Sequence, residues 1–171
     1  MTTIVSIDPG LRNLGIAVHV DGVLYRAALI RNPEKKARDG AAWCAMANET
    51  HAWLYKYPSS SPLYGLDPPS VLIAEIPQIY RFGKSKGDPD DLIQLAGVVG
   101  AVASVVGAKE FVAYRPREWK GTVSGDVFTA RAEAALTEKE RACIEPCPAS
   151  LRHNLIDALK IGEYFWSKRS K

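Results

Sequence analysis

Residues 4–18 read IVSIDPGLRNLGIAV, and they place one aspartate, Asp8, at the end of an apolar run directly before Pro-Gly. Residues 3–8 (TIVSID) are short, apolar and rich in β-branched side chains, which predicts a buried strand. A carboxylate at the edge of such a strand is costly to desolvate unless a cation meets it. Asp-Pro-Gly is also sound turn chemistry without any cation. Asp8 is therefore either a turn former or a metal ligand, and the rest of the chain must separate the two.

Downstream, LGIAVHV (14–20) and VLYRAALI (23–30) flank Asp21-Gly22. Asp-Gly between alternating apolar runs signals a tight hairpin, so the chain opens with three antiparallel strands. Residues 37–57 read as a helix with Ala41, Met46, Trp53 and Leu54 facing inward, stopped by Pro58. VLIAEI (71–76) is a further buried strand, closed by Pro77. A Gly-rich, mostly basic loop (78–90) leads into a helix over 89–107 with acidic residues in its first turn, where the helix dipole favours them. Its small residues Ala96, Gly97, Gly100, Ala101 and Ala103 suit close packing against a sheet or a second helix. EFVAY (110–114) is the fifth strand. A polar, basic connection follows, then helices over 126–141 and 150–168, the last capped by Ser150.

The 171 residues suit a single domain, and 47% hydrophobic with 24% charged residues is ordinary for a globular protein. Net charge is only +3, from 22 Lys and Arg against 19 Asp and Glu. Such a balance does not announce a nucleic-acid binder, so clustering must carry that case. No basic-then-apolar leader opens the sequence, and no apolar run of about 18 residues predicts a membrane span. Three cysteines, an odd number, fit a reducing cytoplasm better than a disulfide framework. Cys143, Cys147 and His153 resemble a fragment of a zinc site, but the spacing is poor and a fourth ligand is missing. Reduced structural thiols are the better reading.

The acids form a set. Asp8 ends the first strand, Glu75 lies near the end of the most apolar strand, and Asp157 interrupts an apolar stretch of the last helix. Singly they read as a turn former, a strained strand residue and a surface helix residue. Jointly they point to a metal site, provided that strands one and four are neighbours and the last helix crosses their ends. Clustered carboxylates raise one another's pKa values, and divalent cations remove that conflict. Mg²⁺ accepts carboxylate oxygens and keeps its waters. Two such ions roughly 3.5–4 Å apart serve phosphoryl transfer.

Four segments, IVSIDPGLRNLGIAV, LIAEIP, YRPREWKGTVSG and NLIDALKIG, resemble in order and spacing the signature segments of the RuvC Holliday-junction resolvases. The resemblance covers most of the chain outside 31–69 and 132–149. It implies an α/β, ribonuclease-H-like domain over 1–171: a mixed five-stranded sheet, three antiparallel strands then βα units, flanked by helices. It also implies a homodimeric endonuclease that uses Mg²⁺ or Mn²⁺, two ions per site, and cuts two strands of a four-way DNA junction symmetrically. Asp8, Glu75 and Asp157 match family metal ligands. Asn154 stands where the family usually has Asp or His, as a fourth, weaker ligand. Lys120 and Arg131 match basic residues near the scissile phosphate, and Arg117 is a further phosphate candidate. On a helix, Asn154 and His153 both fall within about 60° of Asp157. His153 could thus border the metal or move a proton.

In the 78–90 loop, Arg81, Lys84 and Lys86 would attract DNA backbone, while Tyr80 and Phe82 could stack on an opened base. Three other readings stay open. One is an actin-like or sugar-kinase ATPase, whose duplicated domain and phosphate loops do not fit in this length, so no nucleotide cofactor is expected. Another is a catalytically weak or silent binder of branched DNA, which Asn154 favours. The third is a nuclease acting mainly on forks and flaps.

Overall fold

The computed structural model describes residues 1–34, 36, 38–77 and 88–169. Strands β1 (Thr3–Asp8), β2 (Asn13–Val20), β3 (Val23–Arg31), β4 (Val71–Glu75) and β5 (Glu110–Tyr114) form one sheet in the order β3-β2-β1-β4-β5. The first three run antiparallel, and β4 and β5 are added parallel to β1. The β2–β3 turn has Asp21 at φ 47° and Gly22 at φ 84°, the two positive values that a two-residue hairpin requires. Asp21 Oδ1 also accepts from the Thr2 N–H at 2.7 Å, tying the hairpin tip to the start of β1.

Helices α1 (Gly40–His51), α2 (Pro89–Val106), α3 (Pro116–Trp119), α4 (Gly125–Ala134), α5 (Glu138–Ile144) and α6 (Arg152–Arg169) complete the described chain. Strand parity divides them between the two faces of the sheet. Val5, Ile7, Leu14, Ile16, Val18, Leu72 and Ala74 point to one side, where Met46 and Ala47 of α1 and Val98, Val99 and Val102 of α2 cover them. On the other side Ile4, Val71 and Ile73 meet Ile161 and Phe165 of α6, and Ser6 donates to the Ala158 carbonyl at 2.7 Å. Positions 4, 6 and 8 of β1 share that side, as do 71, 73 and 75 of β4. The parallel register runs to Ile7 opposite Ala74, so Asp8 and Glu75 follow one step later on adjacent strands. Both carboxylates therefore leave the sheet at the same end, toward α6.

Gly15 sets how closely α6 lies on β2: a Cβ there would stand 2.0 Å from the Asn154 carbonyl oxygen. On the opposite face Gly97 does the same for α2, with the Trp43 ring where a Cβ would be. The Trp43 Nε1–H donates to Gln94 at 2.9 Å.

Several elements depart from expectation. Asp39 caps α1 by accepting from Ala41 N, so the helix starts at Gly40, and Ala42 rather than Ala41 enters the core. Beyond His51 the helix widens into a π-turn over Ala52–Lys56 before Pro58. The helix expected over 126–141 is two helices. Thr137 and Glu140 form a reciprocal capping box that starts α5 afresh, and this local pairing outcompetes continuation of α4. Ser150 is not a cap; it lies inside a 3₁₀ turn, Ala149–Leu151, that Pro148 introduces and α6 continues. Finally, α2 is long and apolar enough to cross a membrane by length and composition, although no span was expected. Its valines at 98, 99, 102 and 106 are buried in the core of this domain.

Candidate active site

Asp8 from β1, Glu75 from β4 and Asp157 from α6 gather at the sheet end, close enough that each of the other two acids acts on the charge of Asp8. Asp157 is 8% exposed. Into this group reaches Lys120. The β5–α4 connection, read from the sequence as polar and basic, contains the one-turn helix α3, with Pro116 at its first position and the Glu118 carboxylate accepting from the Arg115 N–H. Lys120 is its C-cap, and Gly121 then turns the chain at φ 70°.

The Lys120 Nζ donates to Asp157 Oδ2 at 2.7 Å and lies 3.2 Å from Glu75 Oε2 as an ion pair. It also stands 4.6 Å from the centre of the Trp119 ring and 6.0 Å from that of Phe128, two aromatic faces that favour a cation. Trp119 and Phe128 meet edge to face. Neither ring was singled out from the sequence. The Pro-Arg-Glu start of α3 is a readable helix signal, yet it does not reveal which side chain the turn will aim inward.

The electrostatics are unbalanced. Burial raises the Asp8 carboxyl well above its usual range, and the charges of Asp157 and Glu75 push it further. Burial likewise raises Glu75 and Asp157, against the opposing pull of Lys120 on both. Burial alone would lower the Lys120 pKa, but Glu75 and Asp157 outweigh it and hold the ammonium charged. Among the described residues, three carboxylates thus face one ammonium in ion-pair contact. Asp157 Oδ1 is buried without a hydrogen-bond partner among the described residues, and Glu75 Oε2 lacks an aligned one.

An all-oxygen donor set with an orphaned carboxylate oxygen and surplus negative charge suits a hard divalent cation. In the present rotamers no three His, Cys, Asp or Glu among the described residues are disposed around one metal position, and the Lys120 ammonium contacts two of the acids. The cysteines at 143 and 147 are free thiols. Cys147 is packed in the core with Ile144 and Leu155, and burial raises its pKa.

Two cavities of about 460 Å³ each open on either side of Gly125 at the start of α4. Glu75, Arg117, Lys120 and Thr122 line the first. Asp157, His153, Asp126, Thr129 and Arg152 line the second, the last three being positions that the sequence reading passed over. His153 is exposed and lowers the pKa of Asp157. Asn154 lines neither cavity; its backbone carbonyl lies against Gly15. Arg131 is exposed on α4. Tyr80, Arg81, Phe82, Lys84 and Lys86 lie outside the described residues.

No family model and no curated protein sequence matches the chain. Solved structures do. RuvC of Thermus thermophilus in complex with a Holliday junction substrate is 21% identical over 100% of this chain and 98% of its own, with a TM-score of 0.60. The yeast mitochondrial Holliday junction resolvase Ydc2 is 9% identical over 98% and 81%, with a TM-score of 0.54. The fowlpox virus resolvase, solved with Holliday junction DNA, is 13% identical over 99% and 100%, with a TM-score of 0.51. Such identities speak for architecture, and the architecture is that of the RuvC-type, ribonuclease-H-like resolvases.

Proposed function

We propose that this chain is a divalent-metal-dependent endonuclease that resolves four-way DNA junctions, leaving 5′-phosphate and 3′-hydroxyl ends. One observation carries the reading: three carboxylates from β1, β4 and α6 converge at one sheet end with, among the described residues, too little positive charge to match them. The fold shared with junction resolvases gives that convergence its context. Asp8, Glu75 and Asp157 would hold Mg²⁺ or Mn²⁺, two ions per site, with Asn154 as a neutral fourth ligand. Such a cation supplies charge stabilisation at the phosphoryl group and a reactive water at neutral pH.

The chain's own residues do the rest. Lys120 and Arg117, in one cavity, bind backbone phosphate on one side of the acids, and Arg131 extends the basic surface along α4. These contacts position DNA without reading its sequence. His153, which lines the other cavity with Asp157, would hold or move a proton there. Tyr80 and Phe82 would stack on bases at the crossover, with Arg81, Lys84 and Lys86 on the adjoining backbone.

Symmetric incision needs two sites related by a two-fold axis, hence a homodimer. The outward face of α2 supports one. Ile93 is 60% exposed there, Ala96, Gly100 and Ser104 are exposed in line with it, and a Cβ at Gly100 would meet nothing within 4 Å. Gly100→Arg should therefore leave the protomer folded while converting the dimer to monomer in sedimentation. A wild-type protein that sediments only as a monomer, with and without DNA, would remove the dimer from the reading.

Cleavage of an end-labelled four-way junction in Mg²⁺, Mn²⁺ or EDTA tests the activity. Paired symmetric cuts with ligatable ends, absent in EDTA, are expected. Binding without cutting in either metal would favour the silent binder of branched DNA, a reading that the Lys120 contacts also support. Faster cutting of forks and flaps would reassign the substrate.

A further inference from the structure

Lys120 contacts the same two carboxylates that the proposed metal site requires. Its ammonium bonds Asp157 Oδ2 at 2.7 Å and pairs with Glu75 Oε2 at 3.2 Å, and its side chain is only 15% exposed. This is not a surface lysine resting near an acid. The residue is delivered by a dedicated turn, flanked by Trp119 and Phe128, and held between β4 and α6. Two cations cannot share those oxygens at contact distance without strong repulsion.

Resting on the metal-site reading above, we propose that Lys120 is a built-in counter-cation. It competes with a divalent ion for Glu75 and Asp157, and the ion binds only as the ammonium withdraws. The geometry supplies both halves of that exchange. Among the described residues a single ammonium leaves Asp157 Oδ1 unpartnered and three carboxylates undercompensated, so a doubly charged ion satisfies the cluster better than the lysine does. The lysine also has somewhere to go. It already lines the cavity that contains Arg117 and Thr122, and Gly121 follows it directly. In that cavity the released ammonium meets the position assigned above to DNA phosphate. Before metal arrives the ammonium offsets part of the repulsion among the acids, at the expense of metal affinity.

The test measures occupancy rather than cleavage. Lysines of the wild-type protein are pulse-labelled with an amine-reactive anhydride in EDTA and in saturating Mn²⁺, and the sites are quantified by mass spectrometry. Lys120 should label several-fold faster in Mn²⁺, while the exposed Lys139 and Lys168 stay constant. In parallel, Mn²⁺ affinity is titrated without DNA. Lys120→Met should bind roughly tenfold tighter than wild type, a coupling of ordinary size. Arg117→Gln removes an equal charge from the same cavity and should change affinity far less.

Unchanged Lys120 labelling at saturating Mn²⁺ would overturn the exchange while leaving the metal site standing. So would equal tightening by Arg117→Gln, because the effect would then be general charge and not competition. Failure of the wild-type protein to bind Mn²⁺ would sink the metal-site reading itself and this proposal with it. The labelling arm uses only wild-type protein, so it decides the matter even if Lys120→Met does not fold.

Discussion

Two lysine–carboxylate groups lie along α6, and they are built on different terms. At Asp157 the partners are distant in sequence: Asp8 from β1, Glu75 from β4 and Lys120 from the turn after β5. A turn further on, Lys160 reaches both oxygens of Glu163 on its own helix at 2.9 Å, beside Glu140 of α5 and the buried His19 of β2. In this second group, hydrogen bonds from Thr137 and the charge of Lys160 outweigh burial and hold Glu140 below its usual range. Glu163 is raised by burial and by Glu140, against the pull of Lys160. Two acids there meet one nearby lysine, one of them further satisfied by a helix cap. In the first group all three acids are raised, and Asp157 Oδ1 has no hydrogen-bond partner among the described residues. The second group pairs its acids mostly within one helix and its neighbour, whereas the first draws three raised acids from separate elements onto one lysine.

Removing an acid from the first group should have the largest effect. Asp8→Asn is expected to lower junction cleavage by at least about a hundredfold. Its thermal midpoint should equal or exceed that of wild type, because the substitution relieves a buried, repelled carboxyl. Gel assays and calorimetry on the same preparation check both halves. Wild-type cleavage by this variant would place Asp8 outside the site and erase the contrast.

Acid should separate the two groups next. Burial lowers His19 from 6.5 to about 4, with Glu140 raising it and Lys160 lowering it further. The unfolded chain then binds the extra proton first, so stability is full above 6.5 and is lost as pH falls toward 4. The whole shift corresponds to about 3 kcal/mol. Asp8, Glu75 and Asp157 act with the opposite sign: their raised pKa values favour the folded state as pH falls and cease to do so as pH rises through them. Both His19 nitrogens lack hydrogen-bond partners among the described residues, so His19→Leu loses no bond seen there. Urea denaturation from pH 7 to 4 should show this variant gaining on wild type as the pH drops. Parallel curves would mean that His19 does not titrate with folding.

The smallest effect belongs to the pair within α6. Lys160→Met should cost about 0.5 kcal/mol, as helical i,i+3 pairs with a partly exposed partner do, and leave cleavage rates alone. A loss of several times that size would show that the second group is as interdependent as the first.

The convergence of the acids was legible because it rests on parity. An apolar strand ending in Asp8, a second ending in Glu75 and a helix interrupted by Asp157 leave few ways to bury the rest. The hairpin was legible from Asp-Gly for the same kind of reason, since few residues tolerate its backbone. What escaped depends on competition between local signals. The break between α4 and α5 was written in Thr137 and Glu140, but the helical composition around them masked it. The position of Lys120 between Glu75 and Asp157 was beyond pattern reading, since it follows from the angle at which α3 meets the sheet. The wheel that sets Asn154 near Asp157 also said nothing of its backbone, whose carbonyl lies against Gly15.

That packing reaches beyond α6's fit on the sheet. Position 15 works as a gauge block between strand and helix, with its thickness set by the absence of a side chain. Asp157 stands three residues beyond Asn154, within one turn of the point of contact, so the gauge sets the height of Asp157 over Asp8. A single methyl group at position 15 would lift the helix like a shim under a bearing. Every acid and the lysine would keep its chemistry, yet they would no longer meet. A side chain at this position is opposed by a clearance, and a chain altered only by Gly15→Ala would keep Asp8, Glu75, Asp157 and Lys120 while losing the fit that brings them together.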